Sequence, residues 1–155
     1  MSRVRIARLS IVIILLVMMT GTVSAKNIIV SKNGPVTTIT DALKVARKGD
    51  HIIVKKGIYT GNKINVNKQV TITGEKGAVL DGMGKYEIMD VTADSVVIEY
   101  LTFRNAGVSY IYDNAGIKLI NVKHCQVSHN TLINNFFGIY LAKSSYCTVS
   151  DDSVV

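Results

Sequence analysis

Two cysteines, three histidines and a pair of aspartates near the end of the sequence are the residues whose types invite chemistry. Cys125 and Cys147 stand 22 residues apart. Two thiols at such positions can stay buried, close a disulfide or bind a soft metal such as copper(I), while His51, His124 and His129 would suit copper(II). Met83 and Met89 add soft donors, but no H-x-H or M-x-x-M spacing lays out a ligand set. Asp151 and Asp152 could act as the acids of a polysaccharide-cleaving enzyme, since glycoside hydrolysis needs two carboxylates at a fixed separation. No Ser–His–Asp arrangement and no phosphate-cradling glycine loop is present.

What positions these residues is a repeat. The segment Gly116–Leu132 aligns on Gly138–Val154 at a constant offset of 22. Gly falls on Gly, Ile117 on Ile139, Leu119 on Leu141, Cys125 on Cys147 and Val127 on Val149. The pairs Val70/Ile72 and Val96/Ile98 repeat the same apolar–x–apolar pattern upstream, and Ile52–Val54 reads as a first rung. Period-2 alternation inside a unit of about 22 residues is what one coil of a parallel β-helix requires, because a single coil cannot bury its inward face and stacked coils can. The spacing predicts an all-β right-handed parallel β-helix, with Gly107–Gly116 as a loop at a coil corner.

That frame reassigns the reactive residues. Cys125 and Cys147 share a slot with Val70 and Val96, so buried thiols are expected. A disulfide stays open as an alternative, because neighbouring rungs bring Cα atoms within bridging range. His124 flanks an inward residue and should face solvent. Asp152 takes the place of Asn130, and Asp151 that of His129, which makes the acid pair a ladder position rather than a catalytic dyad. Stacked amides at Asn130, Asn134 and Asn135 are expected to bond between coils. On this reading no residue is assigned a catalytic, cofactor or metal role.

The two ends differ. Thr38-Ile-Thr-Asp41 forms a capping box, and Ile39, Ala42, Leu43 and Ala46 fall at helical spacing. A helix over 38–48, stopped by Gly49, is expected to cover the open end of the first coil. At the other end the chain stops midway through a rung, which reads as a truncated solenoid.

Residues 1–25 have the form of a signal peptide. Arg3, Arg5 and Arg8 precede the apolar run Ile11–Met19, and Val23-Ser24-Ala25 suits cleavage after Ala25. The run falls short of the roughly 20 apolar residues that span a bilayer, so no membrane span is expected after cleavage. Three of the eighteen basic residues lie in this segment, leaving fifteen against eleven acidic ones, a net +4 over 26–155. These charges are scattered, which argues against nucleic acid as a partner. Residues 26–155 are expected to form the N-terminal coils of one exported, periplasmic or extracellular domain.

The stretches Ile39-Thr-Asp-Ala-Leu43, Gly49-Asp-His-Ile-Ile-Val54, Gly57-Ile-Tyr59, Val70-Thr-Ile-Thr-Gly74 and Gly77-Ala-Val-Leu-Asp-Gly82 resemble the start of the NosD family. Asp113-Asn-Ala-Gly-Ile117 and Asn134–Leu141 strengthen the likeness. The N-terminal half is also similar to pectin-lyase-like and sugar-hydrolase β-helices at large, whereas Phe136–Leu141 points more narrowly to NosD. That resemblance implies a non-catalytic periplasmic scaffold for copper-centre maturation of nitrous oxide reductase, with that reductase and ABC transporter subunits as partners. Copper enters by resemblance only. The other reading is the first part of a carbohydrate-active enzyme, a polysaccharide lyase or glycoside hydrolase; a third is a fragment without function.

Overall fold

The structure, a computed structural model, describes residues 24–155 apart from Tyr86 and Tyr110. The expected signal segment therefore lies, but for its last two residues, outside the described residues. Where the chain alternates apolar and polar side chains it forms short strands of two to six residues. β1 (Asn27–Val30) and α1 (Ile39–Val45) come first. Each coil then contributes one strand to each of three sheets: β2 (His51–Val54), β3 (Gly57–Thr60) and β4 (Ile64–Val66), then β5 (Thr71–Gly74), β6 (Ala78–Asp81) and β7 (Met89–Val91). They are followed by β8 (Val97–Glu99), β9 (Thr102–Arg104) and β10 (Ala115–Ile120), and by β11 (Gln126–Ser128), β12 (Thr131–Ile133) and β13 (Phe137–Ala142). β14 (Thr148–Ser150) and β15 (Ser153–Val154) close the series.

Every pairing is parallel. The sheets run β1-β2-β5-β8-β11-β14, β3-β6-β9-β12-β15 and β4-β7-β10-β13. This is a right-handed parallel β-helix, in line with the sequence repeat. The register stacks like on like: Ile28, Ile52, Ile72, Ile98, Val127 and Val149 form one column through the first sheet. Tyr59, Leu80, Phe103, Leu132 and Val154 form a second, and Val66, Val91, Leu119 and Leu141 a third. These columns are the core as far as Val127, Leu132 and Leu119; their last members, Val149, Val154 and Leu141, remain exposed. Full burial of one Ile or Leu contributes about 1.5–3 kcal/mol, so no single rung dominates stability.

Between strands the chain turns through left-handed residues that recur once per coil. Tyr100, His129 and Asp151 share one corner, Asn105 and Asn134 a second, Asn121 and Lys143 a third, and Ser95, His124 and Tyr146 a fourth, all with φ between 50° and 58°. Non-glycine residues rarely adopt this conformation, and Asn and Asp do so most readily. Stacking by coil places the His124 ring on Tyr146, with centroids 5.4 Å apart, and Tyr100 on His129 at 5.0 Å.

Two sequence expectations need correction. The first rung is β1, not Ile52–Val54, because Asn27–Val30 pairs along the whole of β2. The helix ends at Val45 rather than Lys48. Ala46 turns to extended geometry (ψ 146°) and closes it by donating to Ala42 O, so Gly49 (φ 89°) shapes a later turn instead of stopping the helix. The capping box itself is present, with Thr38 Oγ1 accepting from Asp41 N at 3.0 Å. Ile39, Ala42 and Leu43 are buried, and the helix packs on β1, β2 and β4, where it covers that end of the coil stack.

Candidate functional site

The residues singled out in sequence do not come together. Both cysteines are free; Cys125 is buried and Cys147 half-buried. Burial pushes the Cys125 thiol above its ordinary range, and its Sγ points to the carbonyls of Ala93 and Lys123. His124 and His129 are exposed on separate corners. His51 Nε2 lies 2.8 Å from Thr73 Oγ1, which donates to Glu99 Oε1, so the imidazole is tied into an outer ladder of the first sheet. Met89 is buried and Met83 exposed. Among the described residues no three or more His, Cys, Asp or Glu side chains converge on a point where a metal ion could sit. Copper, implied only by resemblance, finds no fitting donor set among them.

The amides behave as ladders. Asn130 Nδ2 donates to Ile98 O, Ser128 O and Asp152 Oδ1, and its Oδ1 accepts from Leu101 N. Asn135 does the same between Phe103 O and Ala106 N. Asp152 is a rung of this ladder, as its alignment with Asn130 implies.

The chemistry lies elsewhere, on the outward face of the third sheet. Parallel register sets Asn65, Asp90, Lys118 and Tyr140 in one column. Outward positions of a solenoid ordinarily meet water, yet Asp90 and Lys118 are only 7% and 9% exposed. Lys63 Nζ lies 2.7 Å from Asp90 Oδ2 and 3.3 Å from Glu87 Oε2. Lys118 Nζ lies 2.6 Å from Glu87 Oε1, an ion pair off the hydrogen-bond axis, and donates to Tyr112 O at 2.7 Å. Two ammoniums and two carboxylates thus alternate as Asp90–Lys63–Glu87–Lys118. The hydrogen bond to Asp90 is the largest cause that raises the Lys63 pKa, against the opposing effect of burial. Asp90 Oδ1 is buried without a hydrogen-bond partner. The Lys118 ammonium also sits 5.7 Å from the centre of the Tyr140 ring.

Lys63 belongs as well to a cleft of about 270 Å³ between α1, the ends of β3 and β6, and the start of β7. Ile39, Ile64, Leu80 and Ile88 give it an apolar floor, and Thr37, Thr40, Thr60 and Asn62 ring it with neutral hydrogen-bonding groups. Its carboxylates are already engaged. Asp81 is held by Arg104 Nε at 2.7 Å, Asn105 and Met83 N; burial raises its pKa, but these bonds together carry it below the usual carboxylate range. Asp41 is held by Lys44 and Thr38. An apolar floor rimmed by hydroxyls and an amide, with an ammonium at the edge, suits a sugar ring bearing an anionic group.

Sequence reasoning missed this site because its four charged residues come from three coils with unequal spacings. The available signal was Lys118, a charge between the buried Ile117 and Leu119, and Asp90 between Met89 and Val91.

No protein-family profile and no curated protein matches the sequence. In fold the chain is similar to two solved structures of pectin methylesterase bound to hexasaccharides. For a point mutant the TM-score is 0.64 with 18% identity, covering 84% of this chain and 49% of that one. For the second structure the values are 0.60, 17%, 84% and 53%. At these identities the likeness establishes the fold, and the chain spans about half the length of those structures. Among the described residues no helix is long and apolar enough to cross a membrane.

Proposed function

We propose that this chain belongs to an exported, carbohydrate-active β-helix protein that binds an acidic polysaccharide along the cleft and the outward face of the third sheet. The observation that carries this reading is Lys63, shared between a sugar-sized cleft and a four-charge cluster on that face. Its fold is that of proteins solved with bound hexasaccharides, which supports the same ligand class. Lys63 and Lys118 would take up carboxylates of the polymer, exchanging one anionic partner for another, while Thr60 and Asn62 bond its hydroxyls. Glu87 and Asp90 are the groups that could move protons at a bound sugar. With each carboxylate closed by an ammonium, the arrangement as it stands binds and orients charge. The test is calorimetric titration of the chain with hexagalacturonate and with a neutral glucose hexamer. Binding of the acidic hexamer alone, weakened about tenfold by Lys63→Ala, supports the reading. No binding, or equal affinity for both hexamers, overturns it.

A second reading keeps the maturation scaffold that the NosD resemblance implies. Its observation is the aromatic knot beside Lys118: Phe136 and Phe137 meet edge-on at 4.8 Å, and Tyr140 follows at 5.4 Å. Aromatic groups of this kind are enriched at protein interfaces. Co-purification with nitrous oxide reductase or transporter subunits, lost on Phe136→Ala, would favour it over the carbohydrate reading.

A further inference from the structure

We infer that the corner between the first and second sheets carries a second binding track, a row of lysines leading to an aromatic stack, which takes an acidic polysaccharide laid parallel to the solenoid axis. The ligand class rests on the function proposed above; the residues and their place do not.

The row comes from register. Val30, Val54 and Gly74 are partners in the first sheet, and Lys32, Lys56 and Lys76 each stand two residues beyond them. Three lysines at sequence intervals of 24 and 20 thus fall on successive coils, with rungs about 4.8 Å apart. All three are exposed. Among the described residues none of their ammoniums has a carboxylate partner; the neighbouring Glu75 is taken by Lys55. Lys32 Nζ rests 4.9 Å from the centre of the Tyr59 ring, a contact that leaves its charge unneutralised. Glycines make room for the stems. A Cβ on Gly57 would lie 3.5 Å from Lys32 Cγ, and one on Gly77 3.2 Å from Lys56 Cγ, so each lysine lies across bare backbone of the following coil. Like charges in a row repel one another, and a polyanion that bridges them removes the repulsion.

The row has a destination at each end. Lys32 also lines the cleft beside α1, so a chain seated there continues onto the corner. Lys76 opens on a groove of about 300 Å³, where Tyr100 and His129 meet the hydroxyls of Thr102 and Thr131. Both ring residues hold left-handed backbone, each with φ 58°, which is a costly place for a bulky side chain such as tyrosine. Burial does not offset that cost, since Tyr100 is 52% exposed. Backbone strain of this kind collects at ligand sites. The stack and its surroundings match a charged sugar chain: rings for the apolar parts of the sugar, threonines for its hydroxyls, ammoniums for its carboxylates. The two rings already lie on each other, with centroids 5.0 Å apart and planes within 9°. No gap between them admits a nucleobase, which favours sugar over single-stranded nucleic acid.

Lysine footprinting tests the track. The full chain is acetylated under native conditions with and without saturating hexagalacturonate and read by mass spectrometry, with exposed Lys123 as the reference. Lys56 and Lys76 are expected to label several-fold more slowly with the acidic hexamer bound, while a neutral glucose hexamer protects neither. The double variant Lys56→Gln/Lys76→Gln should bind hexagalacturonate about tenfold more weakly, and the difference should shrink as salt screens the row. Tyr100→Asn is the sharper variant, because asparagine suits a left-handed corner. It is expected to melt no lower than wild type while its affinity for the hexamer falls several-fold; unchanged affinity overturns the part assigned to the stack. Protection of Lys63 with Lys56 and Lys76 unprotected overturns the track and leaves the proposed function standing. Protection of Lys56 and Lys76 with Lys63 unprotected supports the track and retires the binding face around Lys63. Equal protection by a single-stranded thymidine hexamer overturns the polysaccharide class, and protection at no lysine overturns both readings.

Discussion

Asp152 Oδ1 accepts from both the backbone N and the side-chain Nδ2 of Asn130, at 2.7 and 3.0 Å, so one carboxylate oxygen holds a buried amide of the preceding coil in place. Asn130 in turn satisfies Leu101 N and Ile98 O one coil earlier. Removing it by Asn130→Ala orphans those buried groups, each at a cost of about 1–3 kcal/mol, and the expected loss is roughly 3 kcal/mol. Asn130→Asp should fare no better, since it loses the donor and sets a second carboxylate against Asp152. Urea unfolding of the three proteins checks this, and an alanine variant within 1 kcal/mol of wild type, on the scale of an ordinary surface change, would show the ladder to be ornamental.

Gly74 occupies a position where no side chain fits. A Cβ there would lie 2.4 Å from Tyr100 O and 2.7 Å from Leu101 Cδ2, because the next coil turns its corner directly against it. Backbone cannot yield as a flexible side chain does. Gly74→Ala is expected to destabilise by about 1–3 kcal/mol or more, whereas Gly61→Ala meets open space and carries only the cost of its φ of 146°. Thermal unfolding ranks the two, and a milder effect at Gly74 than at Gly61 contradicts the packing argument.

Acid should weaken the first turn of the solenoid. Asp50 accepts from Arg47 N at 2.8 Å and Lys26 N at 2.9 Å, and these bonds hold its carboxyl below the usual range. Because the folded pKa is depressed, the stabilisation is present above the unfolded value of about 3.9 and is lost as pH falls through the folded pKa. Asp50→Asn keeps one acceptor and removes the titration. The variant's stability should vary less with pH below about 4 than wild type does. Parallel acid limbs would mean that Asp50 does not couple folding to protonation.

The cysteine column makes a chemical prediction. Cys147 is half-buried and Cys125 buried with a raised pKa, so a thiol reagent should modify Cys147 first and Cys125 only slowly. Both should react after denaturation without reductant; finding neither would establish a disulfide. Since the slot is held by Val70 and Val96 in earlier coils, Cys125→Val should cost under about 1.5 kcal/mol.

The sequence by itself determined the columns. Ile117 lies on Ile139, Leu119 on Leu141, Val127 on Val149 and Leu132 on Val154, because alternation within a strand is local and the offset of 22 repeats it. The same offset identified the Asn130–Asp152 rung, and the inward slot of Cys125 identified His124 as outward. Strand β1 escaped notice because Asn27–Val30 precedes the helix and has no partner at a recognisable interval. The end of α1 was misjudged because Ala46 still falls on the apolar stripe although its backbone is already extended.

Only the tertiary structure decided the site. Lys63, Glu87, Asp90 and Lys118 are scattered over 56 positions with no shared period, and they meet only because parallel register stacks their coils on one outward face. Periodic patterns record which side chains point inward. They carry no information about the outside, where charges find one another through the register of three separate coils.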